Sequence, residues 1–142
     1  APYPGVHSDQ VGFPGGQLDT SDSSLWAAAL RELHEELGLI SNNVSQIKTL
    51  SPLYIPPSNF WVQPFLGVYH TTPIWIPDVS EVSKVIEVPL HRFVYESNII
   101  TTQVNSSKGV LESVPAYPIE GFDVWGATAM MLAEVKALFE AV

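Results

Sequence analysis

Cysteine is absent from the 142-residue chain. Disulfide frameworks, thiolate metal sites and cysteine nucleophiles are excluded with it, and a reducing, cytoplasmic location is the expectation. Positive charge is scarce as well. Six Lys and Arg stand against 15 Asp and Glu, for a formal net charge of −9, so neither a nucleic-acid backbone nor an anionic membrane surface is expected as a partner. An anionic substrate would need a cation between itself and the protein. No apolar run approaches the roughly 18–20 residues of a membrane span, and residues 1–9 do not have the form of a signal peptide. Charged residues make up only 15%, whereas 46% are hydrophobic, which is enough for a core and excludes a disordered tail. No repeat, low-complexity block or linker divides the chain, so one domain over residues 1–142 is expected.

Phe13-Pro14-Gly15-Gly16 reads as a loop whose paired glycines allow backbone angles that other residues avoid. Beyond it Trp26, Leu30, Leu33 and Leu37 fall at helical spacing, with Ala29 beside them, which predicts an amphipathic helix. Asp22 or Ser21 is the expected cap at its start, and Gly38 stands where a left-handed glycine ends a helix. The pattern then turns to strands at 47–55, 61–69 and 84–88, followed by a hairpin of 99–104 and 110–117 around Asn105-Ser-Ser-Lys-Gly109. Helical spacing returns from Val124 to Ala141, with Trp125, Ala129, Leu132, Val135 and Phe139 on or near one face. The order of loop, helix, strands and helix implies an α/β or α+β sandwich with a mixed sheet.

The chemistry is concentrated in Arg31-Glu32-Leu33-His34-Glu35-Glu36. Residues three and four apart on a helix are surface neighbours, so Glu32, Glu35 and Glu36 converge on one patch. Carboxylates so close repel, and one of them has its pKa raised unless a hard divalent cation with oxygen ligands removes the conflict. Arg31 is placed to hold Glu35 by an ion pair. The plainer alternative is an acidic helix face turned to water.

Context decides between the two. Gly15-Gly16, a spacer and Arg31 to Leu39 resemble the Nudix box, whose pattern is Gly, five residues, Glu, seven residues, then Arg-Glu-apolar-any-Glu-Glu-any-Gly-apolar. The second half matches at every specified position. In the first half Ser23 stands where the early Glu belongs, and Gly16 lies one residue too far away. Phe13 to Asp22, followed by Ala28-Ala29-Leu30-Arg31-Glu32, resembles the variant box of coenzyme A pyrophosphatase-like Nudix proteins, in which an Asp replaces that Glu. His7 to Phe13, Asp78-Val-Ser-Glu-Val82, Glu87-Val-Pro-Leu90 and Trp125-Gly-Ala-Thr-Ala129 resemble the same subgroup.

The resemblance implies a Nudix-type mixed sheet flanked by helices. Only 14 residues precede Gly15, so the strands that ordinarily come before the box loop are expected to be missing from this chain. It implies a Mg²⁺- or Mn²⁺-dependent hydrolase that cleaves the diphosphate of a nucleoside diphosphate derivative. Coenzyme A or acyl-coenzyme A, giving phosphopantetheine and adenosine 3′,5′-bisphosphate, stands ahead of ADP-ribose or a dinucleotide, and a non-catalytic nucleotide- or protein-binding domain is the alternative. The implied catalytic residues are Arg31, Glu32, Glu35 and Glu36. The implied metal ligands are Glu32, Glu35, Glu36 and the Gly16 carbonyl. The base that deprotonates the attacking water is Glu32, Glu35 or a later acid such as Glu81. A homodimer is left open.

Other chemistry fits poorly. A zinc helix of the HExxH type would need His where Gly38 stands, so His34 reads as a helix-surface residue, and His7, His70 and His91 are scattered and read as structural. Gly15-Gly16 lacks the Lys-Ser/Thr tail of a P-loop, and there is no G-x-S-x-G elbow. Tyr54, Phe60 and Trp61 are the substrate-binding candidates, with Trp75, because an aromatic face stacks on a base; in strands such residues more often form core.

Overall fold

The structure is a computed structural model, and it describes residues 10–142 except Ser107. His7, read as structural, therefore lies outside the described residues, as does the first part of the lead-in from His7 to Phe13. Two compact units emerge: residues 1–50 with 63–85, and residues 51–62 with 86–142.

The first unit carries helix α1 (Leu25–Leu37) and an antiparallel ribbon of β1 (Val44–Thr49) and β4 (Phe65–Tyr69). Ser24 is the N-cap; its extended backbone lets the hydroxyl accept from the Ala27 N–H at 3.1 Å. The expected caps are displaced for a chemical reason, because the Asp22 carboxylate is already taken by Arg31 and by the Asp19 N–H. Gly38 ends the helix as expected, at φ +75°, with its N–H donating to the His34 carbonyl. Trp26 meets Phe65 edge-on at 5.4 Å, and Ala28, Leu39 and Leu50 are buried. Leu30, Leu33 and Leu37, expected in the core, are only partly buried. Among the described residues this unit offers the helix a ribbon of two strands, a narrow surface for its apolar stripe.

The second unit opens with a hairpin of β2 (Leu53–Ile55) and β3 (Phe60–Val62). After it come α2 (Leu90–Glu96), a three-stranded antiparallel sheet of β5 (Ile100–Asn105), β6 (Leu111–Ile119) and β7 (Phe122–Trp125), and α3 (Gly126–Glu140). Phe93, Val94, Ala116, Tyr117, Ile119 and Val124 form its core, with Phe93 edge-on to Tyr117 at 5.3 Å.

The α+β architecture holds. Every strand pairing among the described residues is antiparallel, so the parallel component of the expected mixed sheet is not among them. The long strands expected at 47–55 and 61–69 are each two strands, parted at Leu50-Ser51-Pro52 and at Gln63-Pro64. Proline removes a ladder donor at each break. Residues 84–88 are not a strand, because no neighbouring strand pairs with them. They lead into α2, which buries Phe93 and Val94. Strand β7, also unexpected, follows a two-residue turn at Glu120 and Gly121, both at positive φ.

Candidate active site

Arg31 is the hub of the first unit. Its Nε and Nη2 donate to both oxygens of Asp22 at 2.9 and 3.0 Å, a bidentate fork. Nη2 also reaches the Gln17 carbonyl at 3.2 Å, so the glycine-rich loop is tied to the helix that follows it. Nη1 donates to Glu32 Oε1 at 2.8 Å and to Glu35 Oε2 at 3.2 Å. The expected Arg31–Glu35 pair is present, but Asp22 is the stronger partner. Its side chain is 5% exposed, against 56% for Glu35. The guanidinium holds the Asp22 carboxyl below its ordinary range, and the carboxylates push the Arg31 pKa upward in return.

Asp22 was expected as a cap of the helix; its contact with Arg31 was not legible in the sequence. It lies nine residues before Arg31, a separation at which helical periodicity says nothing, since residues up to Ser24 precede the helix.

Glu32 and Glu36 oppose each other on the next turn, as i,i+4 spacing requires. Burial is the main reason the Glu36 carboxyl is pushed up to about 7. The charge and hydrogen bond of Glu32 add to it, the Gly15 N–H opposes it, and Glu81 adds a further upward pull. The glycine loop closes over this pair. Gly15 N–H donates to Glu36 Oε2 at 3.3 Å. A Cβ built on Gly16 would lie 2.8 Å from Glu32 Oε1 and 2.9 Å from its carboxyl carbon, so any side chain there would displace the Glu32 carboxylate.

Glu81 reaches the site through the chain rather than through the helix. The Ile76 and Asp78 N–H groups donate to the Leu37 and Glu36 carbonyls at 2.9 and 2.8 Å, which satisfies two carbonyls left open at the end of α1.

The donor set is one of hard oxygens, and a pair of carboxylates in need of countercharge suits a hard divalent cation. Among the described residues no group of three or more His, Asp or Glu side chains is gathered for a metal. Two carboxylates still fit Mg²⁺, which is commonly held by one or two of them while water and phosphate oxygens fill its other positions. Glu35 stays on Arg31, at the edge of the pair.

The remaining candidates lie elsewhere. His34 is exposed, with Nδ1 3.1 Å from the Leu39 carbonyl. His70 Nε2 lies 2.6 Å from Ser45 Oγ, and the His91 ring packs on Tyr95. Tyr54, Phe60 and Trp61 sit on the β2–β3 hairpin of the second unit, at 45%, 46% and 71% exposure, so the expectation that strand aromatics form core fails for them. Tyr54 and Trp61 are cross-strand partners with ring centres 5.4 Å apart; a two-stranded ribbon leaves one face of such a pair open.

Comparison with known proteins agrees with this arrangement. The family model of the NUDIX domain matches residues 1–103. The chain is 36% identical over 129 residues to the uncharacterized Nudix hydrolase NudL of Salmonella newport (strain SL254), and equally to its counterparts in Salmonella agona (strain SL483) and Salmonella heidelberg (strain SL476). The match takes in 91% of this chain and 66% of each relative, so the chain spans just under two-thirds of the length of the proteins it matches. A helix whose Arg31, Glu32 and Glu36 lie under a glycine loop, within a segment matched by that model, places the chain in the Nudix domain family.

Proposed function

We propose that the protein is a divalent-cation-dependent hydrolase that cleaves the diphosphate bond of a nucleoside diphosphate derivative, with coenzyme A or acyl-coenzyme A as substrate. The observation that carries this reading is the Glu32–Glu36 pair beneath Gly15 and Gly16, with Arg31 locking one member in place. Relatives named Nudix hydrolase support the reaction class. The resemblance of the loop from Phe13 to Asp22 to the variant box supports the coenzyme A subgroup, and within that loop Asp22 holds Arg31.

Glu32 and Glu36 would hold Mg²⁺ or Mn²⁺, with the Gly16 carbonyl and Glu35 beside them. Such an ion supplies countercharge to the diphosphate, which a chain of net charge −9 would otherwise repel. The protein's own groups do the rest. Arg31 fixes the Glu32 carboxylate, and the Gly15 N–H fixes that of Glu36. Glu81, within electrostatic reach of Glu36, takes the proton of the attacking water on its carboxylate. The water oxygen bonds to phosphorus, the anhydride P–O bond breaks, and the bond's electron pair leaves with the departing phosphate. Phosphopantetheine and adenosine 3′,5′-bisphosphate result, and the cytoplasm is where this chemistry would operate.

The test is a comparison of kcat/KM for coenzyme A, ADP-ribose and a diadenosine polyphosphate at one Mg²⁺ concentration, with products identified by mass. Coenzyme A is expected to lead. A preference for ADP-ribose overturns the substrate assignment and leaves the reaction class standing, whereas hydrolysis of none of them turns the reading to a nucleotide-binding domain.

A further inference from the structure

We propose that Asp78 is a positioning residue, whose turn holds Glu81 beside the Glu32–Glu36 pair; this rests on the reading of that pair as the hydrolytic site. Asp78 is engaged on three sides. Its N–H donates to the Glu36 carbonyl at 2.8 Å, which anchors the segment at the end of the catalytic helix. Its own carbonyl accepts from the N–H groups of Glu81 and Val82 at 3.0 and 2.7 Å, which bends the chain back. Its carboxylate accepts from both the N–H and the hydroxyl of Ser80, at 3.0 and 2.7 Å, which fixes the residue just before Glu81. One residue therefore joins the backbone of Glu36 to the backbone of Glu81.

The anchor needs Gly38. A Cβ there would lie 2.6 Å from Ile76 Cβ and 3.0 Å from its carbonyl oxygen, so only glycine lets the segment come this close to the helix end. Glu81 itself is exposed. No core packing places it, and the turn at Asp78 is what limits where its carboxylate can go. Both neighbours of Ser80 in the turn, Val79 and Glu81, face solvent, and the Asp78 carboxylate ties the loop between them through Ser80.

The experiment measures Mn²⁺ affinity by electron paramagnetic resonance, together with kcat and KM for coenzyme A, in the parent, Asp78→Ala, Asp78→Asn, Glu81→Gln and the double variant Asp78→Ala/Glu81→Gln. Asp78→Ala is expected to weaken Mn²⁺ binding about tenfold, because it lets the negative charge of Glu81 move away from the pair, and to lower kcat about tenfold with KM unchanged, within the range that outer contacts to a metal site command. Asp78→Asn, whose amide oxygen still accepts from Ser80, recovers most of both. In the Glu81→Gln background Asp78→Ala adds nothing, because it acts through Glu81. Independent, additive losses overturn the proposal, and so does an Asp78→Ala protein that matches the parent in both readouts. If Asp78→Ala does not fold, Ser80→Ala removes one of the two bonds to the carboxylate and leaves the Asp78 backbone anchor in place. It should shift both readouts in the same direction, and no shift overturns the proposal. A parent that binds no Mn²⁺ overturns the underlying metal site and this inference with it. A parent that binds Mn²⁺ and cleaves coenzyme A beside an unchanged Asp78→Ala overturns this inference alone.

Discussion

At the scale of single residues, the proposed function separates side chains that would do chemistry from those that hold them. Glu36→Gln removes a charge at the centre of the pair while preserving size, so turnover should fall by several orders of magnitude with the melting temperature unchanged or higher. Steady-state kinetics and thermal melting check both halves, and near-normal turnover excludes Glu36 as a ligand. Gly16→Ala is a subtler probe. The new methyl group would collide with the Glu32 carboxylate, the far end of a flexible side chain, so the structure yields at that end. Activity should drop while stability stays within about 0.5 kcal/mol of the parent, the range of surface substitutions. Asp22 makes the opposite case, for holding. Its pKa is depressed below the ordinary 3.8 by Arg31, so its carboxylate stabilises the fold above that value, and the contribution is lost as pH falls through the lower folded pKa. Asp22→Asn should therefore melt lower than the parent at pH 5–7, and the gap should close as both are acidified below about pH 4. A gap that persists at low pH would assign Asp22 a role in packing instead.

At the scale of elements, α1 owes its position to its two ends as much as to its apolar stripe. Only Ala28 of the helix is fully buried, so capping carries a larger share of its stability than in a helix laid on a wide sheet. Ser24→Ala should cost about 1 kcal/mol by leaving the Ala27 N–H without its acceptor. Gly38→Ala should cost more, because it adds the roughly 1–2 kcal/mol of a left-handed backbone to a clash with Ile76. Urea titrations of the two variants give the ranking, and an inverted order would mean that the 76–78 segment is free to move away from the helix end. Sequence periodicity was sound for α1 and α3, whose apolar repeats run over several turns. It failed at α2 and β7, which are seven and four residues long, because so few positions cannot express a period against background.

At the scale of the whole molecule, electrostatics sets the terms. A net charge of −9 and two opposed carboxylates make the cation-free protein repel any anionic ligand. Mg²⁺ or Mn²⁺ should raise the melting temperature, since a ligand that binds only the folded state stabilises it, by about 2.7 kcal/mol at a hundredfold excess over Kd. The gain should vanish in Glu32→Gln/Glu36→Gln. Superimposable scans with and without EDTA for the parent would show that no cation is held there. Among the described residues no helix is long and apolar enough to cross a membrane.

The amino-acid order by itself determined the acidic helix, its glycine stop, the Arg-Glu and Glu-Glu spacing and the α+β class. These are local: helix geometry places residues three and four apart side by side whatever the rest of the chain does. Only the tertiary structure decided that Asp22 grips Arg31, that Gly16 presses on Glu32 and that Asp78 brings Glu81 to the end of α1. The last of these joins residues 42 positions apart, from Glu36 to Asp78. Such contacts form when loops close and open backbone carbonyls find donors, and their partners are chosen by where the chain returns in space.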